Sequence, residues 1–96
     1  MSLLNTVITA NATGVLVETR LDVSNAYIFI TAGSDLGGGT LTLGIRKLNS
    51  TDALIPIDTP IAGSQAQYPI GGRVELHYTL TGATAPAIEI LASQGS

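Results

Sequence analysis

The chain has 96 residues and no cysteine, which suits a single domain and excludes disulfides, thiolate metal sites and cysteine nucleophiles. Its net charge is −3, and its few basic residues (Arg20, Arg46, Lys47 and Arg73) are scattered, whereas nucleic-acid binding needs a clustered basic face. Charged residues make up 11% of the chain against a usual fraction of about 25%, and this shortage favours association with other protein over a solvated monomer.

The N-terminal third predicts short strands separated by polar turns. Residues 1–5 lack the basic start and apolar stretch of a secretory signal peptide. Residues 3–10 and 14–19 are predicted to form a hairpin joined through residues 11–13. No stretch approaches the run of about 18 apolar residues that a membrane-spanning helix requires, so we expect no membrane span.

Residues 26–31 are apolar on both faces of a strand. We predict either a central strand covered on both sides or a strand whose outer face meets a partner. The glycine-rich segment that follows lacks the lysine and the helix of a phosphate-binding loop. It is predicted to be a mobile loop.

Two segments alternate regularly between apolar and polar residues, as strands with one buried face do. In residues 40–46 the apolar set is Leu41, Leu43 and Ile45. In residues 73–80 the apolar set is Val74, Leu76, Tyr78 and Leu80, and the polar set is Arg73, Glu75, His77 and Thr79.

The remaining strands are predicted from shorter signals. Residues 53–57 contain Pro56, which confines them to a sheet edge because proline donates no ladder hydrogen bond. Residues 64–70 form a weak strand or an extended loop, and residues 87–91 form the last strand, followed by a flexible tail at residues 93–96. Together these segments predict an all-β, single-domain sandwich over residues 1–96. It has two sheets, about eight short strands and a jelly-roll or immunoglobulin-like topology.

The residues that could support catalysis do not form a recognisable set. His77 could be a metal ligand or general base beside Glu75, but its simpler interpretation is a half-exposed cross-strand partner. One histidine without cysteine makes a zinc site only if two carboxylates converge on it. We therefore expect no enzymatic activity, no cofactor and no metal.

The loop aspartates are Asp35, Asp52 and Asp58. They lack the i, i+2 spacing of a calcium loop. We expect them to hydrogen-bond the backbone of their own turns.

Four apolar or aromatic residues are candidates for a contact surface: Tyr27, Phe29, Tyr68 and Leu91. An exposed tyrosine could also stack on a sugar ring. Core packing is the expected role for at least two of the four aromatic residues of the chain.

The order of strands and turns resembles the small β-sandwich virion proteins of tailed bacteriophages. The resemblance covers most of residues 13–92. It is carried by Gly39-Thr40-Leu41-Thr42-Leu43-Gly44-Ile45, by Gly71-Gly72-Arg73-Val74-Glu75-Leu76, and by Leu80-Thr81-Gly82-Ala83-Thr84 before the last strand. Asn49-Ser50-Thr51-Asp52 stands where these proteins have an Asp-Gly-Gly turn, and the tryptophan that often follows that turn is absent.

This resemblance implies a capsid decoration or cement protein that binds and stabilises the shell. Its partner would be the major capsid protein or another virion component, and it would act as a homo-oligomer, a dimer or trimer. It would be made in the host cytoplasm and lie on the capsid surface of the virion, with no nucleic acid and no membrane as partner. The alternative is a carbohydrate- or receptor-binding module of a tail or head fibre.

Overall fold

The structure, a computed structural model, describes residues 3–19 and 24–95. These residues form eight strands and no helix, which confirms the predicted all-β class. The strands are β1 (Leu3–Ile8), β2 (Ala12–Glu18), β3 (Asn25–Ile30), β4 (Thr40–Lys47), β5 (Ile55–Asp58), β6 (Gln65–Tyr68), β7 (Val74–Thr81) and β8 (Ile88–Gly95).

The strands form two antiparallel sheets of four strands each. The first sheet has the order β1-β8-β3-β6, and the second has the order β2-β7-β4-β5. The neighbours β1–β8, β2–β7, β3–β6 and β4–β5 are therefore nested pairs from the two halves of the chain. This nesting is the jelly-roll arrangement, one of the two predicted topologies.

The core lies between the two sheets and is built from alternate residues of the strands. In β4, Leu41 and Leu43 are fully buried, and in β7 Leu76 and Leu80 are, so the predicted core-facing residues are confirmed. The opposite face of β7 is not the solvent-facing side that alternation predicts, because Glu75 and His77 are buried as well. The short β5 contains Pro56 and borders the second sheet, as predicted. The buried core consists of Ile8, Leu16, Val17, Ala26, Ile28, Ile30, Leu41, Leu43, Leu76, Leu80, Ile88, Ile90 and Ala92.

The predicted first hairpin is wrong, because β1 and β2 belong to different sheets. The connection between them is held by Asn11, whose side-chain amide bonds the backbone of Ala83 twice. Asn11 Nδ2 donates to the Ala83 carbonyl at 3.0 Å, and the Ala83 N–H donates to Asn11 Oδ1 at 2.9 Å. These bonds tie the turn to the segment between β7 and β8. Strand β2 pairs with β7, and β1 pairs with β8.

The C-terminal segment is also more ordered than the sequence predicts. Ser93, Gln94 and Gly95 were expected to form part of a flexible tail, but they extend β8 and pair with Tyr27, Ala26 and Asn25 of β3. Backbone pairing to β3 does not depend on apolar side chains, and this explains why a polar ending continues the strand. Ser96 lies outside the described residues.

The glycine-rich loop, expected to be mobile, is tied to the segment before β8. Asp35 and Ala87 exchange two backbone hydrogen bonds of 2.8 Å, and the Thr84 N–H donates to the Gly37 carbonyl at 2.9 Å. Gly37 has a φ of 62°, and a Cβ at this position would collide with the Thr84 carbonyl oxygen. Glycine is therefore required here for close packing and for a left-handed backbone.

Candidate functional site

The outer face of the first sheet carries three of the four predicted contact residues. Tyr27 and Phe29 project from β3, and Leu91 projects from the neighbouring β8. Phe29 is 41% exposed, and Tyr27 and Leu91 are half-buried. The sheet therefore presents adjoining apolar side chains on the face that points away from the core.

The strand register arranges this outer face in two rows across the sheet. In one row Phe29 lies between Gln65 of β6 and Leu91 of β8. In the other row Tyr27 lies between Gln67 and Ser93. Because opposite residues in antiparallel strands contact each other on one face, each aromatic ring is flanked by a glutamine amide.

A shallow groove of about 380 Å³ runs over these two rows. Of the residues that the structure describes, no Lys, Arg, Asp or Glu lines this groove; its walls come from Tyr27, Ile28, Phe29, Gln65, Ala66, Gln67, Leu91 and Ser93. Interface centres are typically rich in aromatic residues and poor in charge. We call the outer-face residues Tyr27, Phe29, Leu91, Gln65, Gln67 and Ser93 the docking face.

Tyr68 does not belong to the docking face. It lies opposite Ala26, whose side chain is buried in the core, and it packs partly against that core. Its hydroxyl donates a 2.6 Å hydrogen bond to Asp58 Oδ2. Partial burial, together with the bond to Asp58 and its charge, raises the pKa of Tyr68 far above its usual value. Tyr68 therefore fastens the β6 edge of the first sheet to the β5 edge of the second.

A second group of polar side chains lies on the outer face of the second sheet. Arg46 Nε donates to Glu75 Oε1 at 3.0 Å, and Arg46 Nη1 donates to the Asp52 carbonyl at 3.2 Å. His77 Nε2 lies 3.5 Å from the same Glu75 oxygen. The hydrogen bond from Arg46 lowers the pKa of Glu75, His77 adds to this effect, and burial opposes it.

His77 is only 5% exposed, so the prediction of a half-exposed side chain is wrong. Its neighbour on β4 is Gly44, which offers no side chain of its own. A Cβ at Gly44 would lie 3.2 Å from the Leu54 Cβ, so Leu54 covers the sheet beside His77. Neither ring nitrogen of His77 has a hydrogen-bond partner within the described part of the chain.

The arrangement around His77 does not form a metal centre. Across residues 3–19 and 24–95, no three His, Cys, Asp or Glu side chains converge as metal ligands would. Glu75 is instead paired with Arg46, so the group is a partly buried ion pair with an adjoining imidazole.

The loop aspartates differ in what they bind. Asp35 Oδ1 accepts a hydrogen bond from the Gly37 N–H, and Asp58 Oδ1 accepts one from the Thr59 N–H, both at 2.8 Å, as predicted for turn-bonding side chains. Asp52 differs from the other two, because it bonds within its turn through its backbone. The Asp52 N–H donates a 2.9 Å hydrogen bond to Ser50 Oγ.

Comparison with known proteins adds no relative: the chain matches no protein-family model, no curated protein and no solved structure. The described residues include no helix that is long and apolar enough to cross a membrane.

Proposed function

We propose that this protein is a non-enzymatic virion structural protein of a tailed bacteriophage, a decoration or cement protein that binds the capsid shell through the docking face. The single observation that carries the proposal is the group of apolar side chains formed by the exposed Phe29 and the half-buried Tyr27 and Leu91, on the face of the sheet that points away from the core. Exposed apolar patches with polar surroundings mark binding sites more often than they mark unoccupied surface.

Two further features support a shell protein as the partner. The strand and turn pattern resembles that of phage virion proteins, and the jelly roll is a fold that capsid domains use repeatedly. The scarcity of charge over the whole chain also suits a long-lived contact, since the centres of permanent interfaces are apolar. The major capsid protein is the partner that these features favour.

The test is a binding experiment with particles from a phage that lacks the gene for this protein. Purified protein is mixed with such particles, and bound protein is measured after sedimentation. We expect saturable binding, and bound particles should survive heat and low ionic strength better than bare ones. Wild-type protein that binds neither the shell nor any other virion component would contradict the proposal.

A matched pair of variants identifies the face that binds. Phe29→Thr removes the ring at the centre of the docking face, and Val15→Thr makes an apolar-to-polar change of nearly constant volume on the outer face of the second sheet. The two side chains are 41% and 42% exposed, so neither change should unfold the protein. We expect Phe29→Thr to weaken binding at least about tenfold, as loss of a central aromatic contact does, and Val15→Thr to leave it unchanged. Equal weakening by both variants would refute the docking face.

Carbohydrate binding by a fibre module is the second candidate function. It is supported by the pairing of each ring with an amide, Tyr27 with Gln67 and Phe29 with Gln65, within the groove. Sugar rings stack on aromatic faces while their hydroxyls bond to amides, and jelly rolls also serve as lectin domains. A glycan array separates the two candidates, because a glycan-binding module retains specific sugars that Phe29→Thr releases, whereas a cement protein retains none.

A further inference from the structure

The sandwich has four edge strands: β1 and β6 border the first sheet, and β2 and β5 border the second. An edge strand exposes unpaired backbone N–H and C=O groups, which another strand can join. Proteins usually prevent this with very short edge strands, proline, bulges or charged side chains. The four edges of this protein differ in these features.

Three of the edges carry at least one such feature. Strand β5 has four residues, one of which is Pro56, and β6 also has only four residues. Strand β2 has an irregular register between Val15 and Val17 and ends on the charged Glu18. These edges are therefore poor templates for an incoming strand.

Strand β1 carries none of these features. Its six residues pair in regular register with β8 over their whole length, without charge, proline or glycine. Leu4 is 43% exposed and Val7 is 65% exposed, and the two side chains lie on opposite faces of the strand. Within the described residues, β1 pairs only with β8, so the other edge of β1 has no strand partner.

We propose that β1 pairs antiparallel with β1 of a second copy of this chain. The pairing satisfies the free backbone groups of both edges and covers the exposed side chains Leu4 and Val7. Because β1 itself carries no charge, its pairing sets no charged side chains of the two strands opposite each other. The nearest charge is Glu89 of β8, whose carboxylate accepts a 2.9 Å hydrogen bond from Asn5. The first sheets of the two copies, each with four strands, then form one continuous eight-stranded sheet across the dimer.

The symmetry of this pairing has a consequence for the docking face. Two antiparallel edge strands in one sheet are related by a two-fold axis perpendicular to that sheet. Both copies therefore present Tyr27, Phe29 and Leu91 on the same side of the dimer. A doubled docking face binds a repeating surface more tightly than either copy alone. The strand pairing stands independently of the proposed function, whereas the benefit of a doubled face rests on it.

The size of the contact sets how strong the dimer should be. One strand of six residues buries much less than the roughly 800 Å² per partner of a standard interface. We therefore expect a concentration-dependent dimer that forms between about 10 μM and about 1 mM.

Sedimentation equilibrium over this concentration range tests the association with a matched pair of variants. Val7→Lys places a charge on the β1 edge, whereas Ile61→Lys makes the same change at a 69% exposed residue outside the strands. We expect the wild type and Ile61→Lys to dimerise alike, and Val7→Lys to weaken the dimer at least about tenfold, because strand addition must strip water from a charged side chain on the edge. A wild type that stays monomeric throughout, or equal weakening by both variants, overturns the proposal.

Single cysteines locate the contact directly, because the chain has none of its own. Asn5→Cys places a thiol near the middle of β1, and Gln65→Cys places one on β6, the opposite edge of the same sheet. Under mild oxidation we expect rapid disulfide-linked dimers with Asn5→Cys and slow ones with Gln65→Cys. Equal rates of cross-linking would show that β1 is not the preferred edge.

These measurements use the protein alone, so their outcome is separate from that of the particle-binding test. Monomeric Val7→Lys should still bind particles, with lower avidity than the wild type. Loss of dimerisation with particle binding retained would identify β1 as the dimer contact and leave the docking face intact.

Discussion

Glu75 holds the buried polar group of the second sheet together, because its Oε1 atom accepts the Arg46 hydrogen bond and also faces His77. Arg46 in turn reaches the Asp52 carbonyl, so the ion pair fastens the loop between β4 and β5 to the sheet. A carboxylate in this position stabilises the fold only while it is ionised.

The lowered pKa of Glu75 predicts how stability depends on pH. The ionised Glu75 contributes fully to the stability of the fold above the usual glutamate pKa of about 4.3. This contribution is lost as the pH falls through the lower pKa that Glu75 has in the folded state. We expect the free energy of unfolding, measured by urea titration between about pH 7 and pH 3, to fall with acid in the wild type. Glu75→Gln should have a lower free energy of unfolding than the wild type at neutral pH. On acidification, this free energy should fall less in Glu75→Gln than in the wild type.

Asp52→Asn is the control for this prediction, because Asp52 is exposed and its contact with Arg46 is made by the backbone carbonyl. The control should keep the acid dependence of the wild type. An acid dependence that is unchanged in Glu75→Gln would show that the ion pair does not contribute to stability.

Single residues were the hardest part of the structure to predict from the sequence. The alternation of β7 correctly assigns His77 to the outer face, but alternation alone does not reveal that Leu54 covers this face at Gly44. Tyr68 was predicted as a contact residue, although a signal for its direction was present. Gln65 and Gln67 alternate with the apolar Ala66, Tyr68 and Ile70, and this period of two places Tyr68 on the core side, where its pairing with Ala26 puts it.

At the scale of elements, local sequence determined most of the strands. Strong alternation located β4 and β7, and Pro56 marked an edge strand. The extent of β8 was underestimated, because its last residues are held by backbone pairing with β3 rather than by an apolar pattern.

The glycines before β4 provide a test of packing at this scale. A Cβ on Gly39 would lie 2.6 Å from the Thr81 carbonyl oxygen, whereas a Cβ on Gly33 would meet no atom within 4 Å. We expect Gly39→Ala to destabilise the protein by about 1–3 kcal/mol through overpacking. Gly33→Ala should be neutral or stabilising by up to about 1 kcal/mol, because it restricts the unfolded chain.

Urea denaturation of both variants measures this difference. Equal stabilities of Gly39→Ala and Gly33→Ala would contradict the close packing of the loop against the end of β7.

At the scale of the whole molecule, the sequence predicted two sheets but left the topology open. Alternation shows which residues of a strand are buried, yet it contains no information on which sheet the strand joins. The predicted β1–β2 hairpin failed for this reason, since β1 pairs with β8 in the first sheet and β2 pairs with β7 in the second. The same topology places β3 and β8 side by side, and this brings Phe29 next to Leu91.

Binding through the docking face should cover this face on capsid particles. Hydroxyl-radical footprinting of the protein bound to particles, compared with free protein, detects such a change because the method measures the exposure of individual side chains. We expect the oxidation of Tyr27, Phe29 and Leu91 to fall on binding, while Val15, on the opposite sheet, stays as reactive as in the free protein. Protection of Val15 with unchanged oxidation of Tyr27 and Phe29 would mean that the second sheet, and not the docking face, contacts the particle.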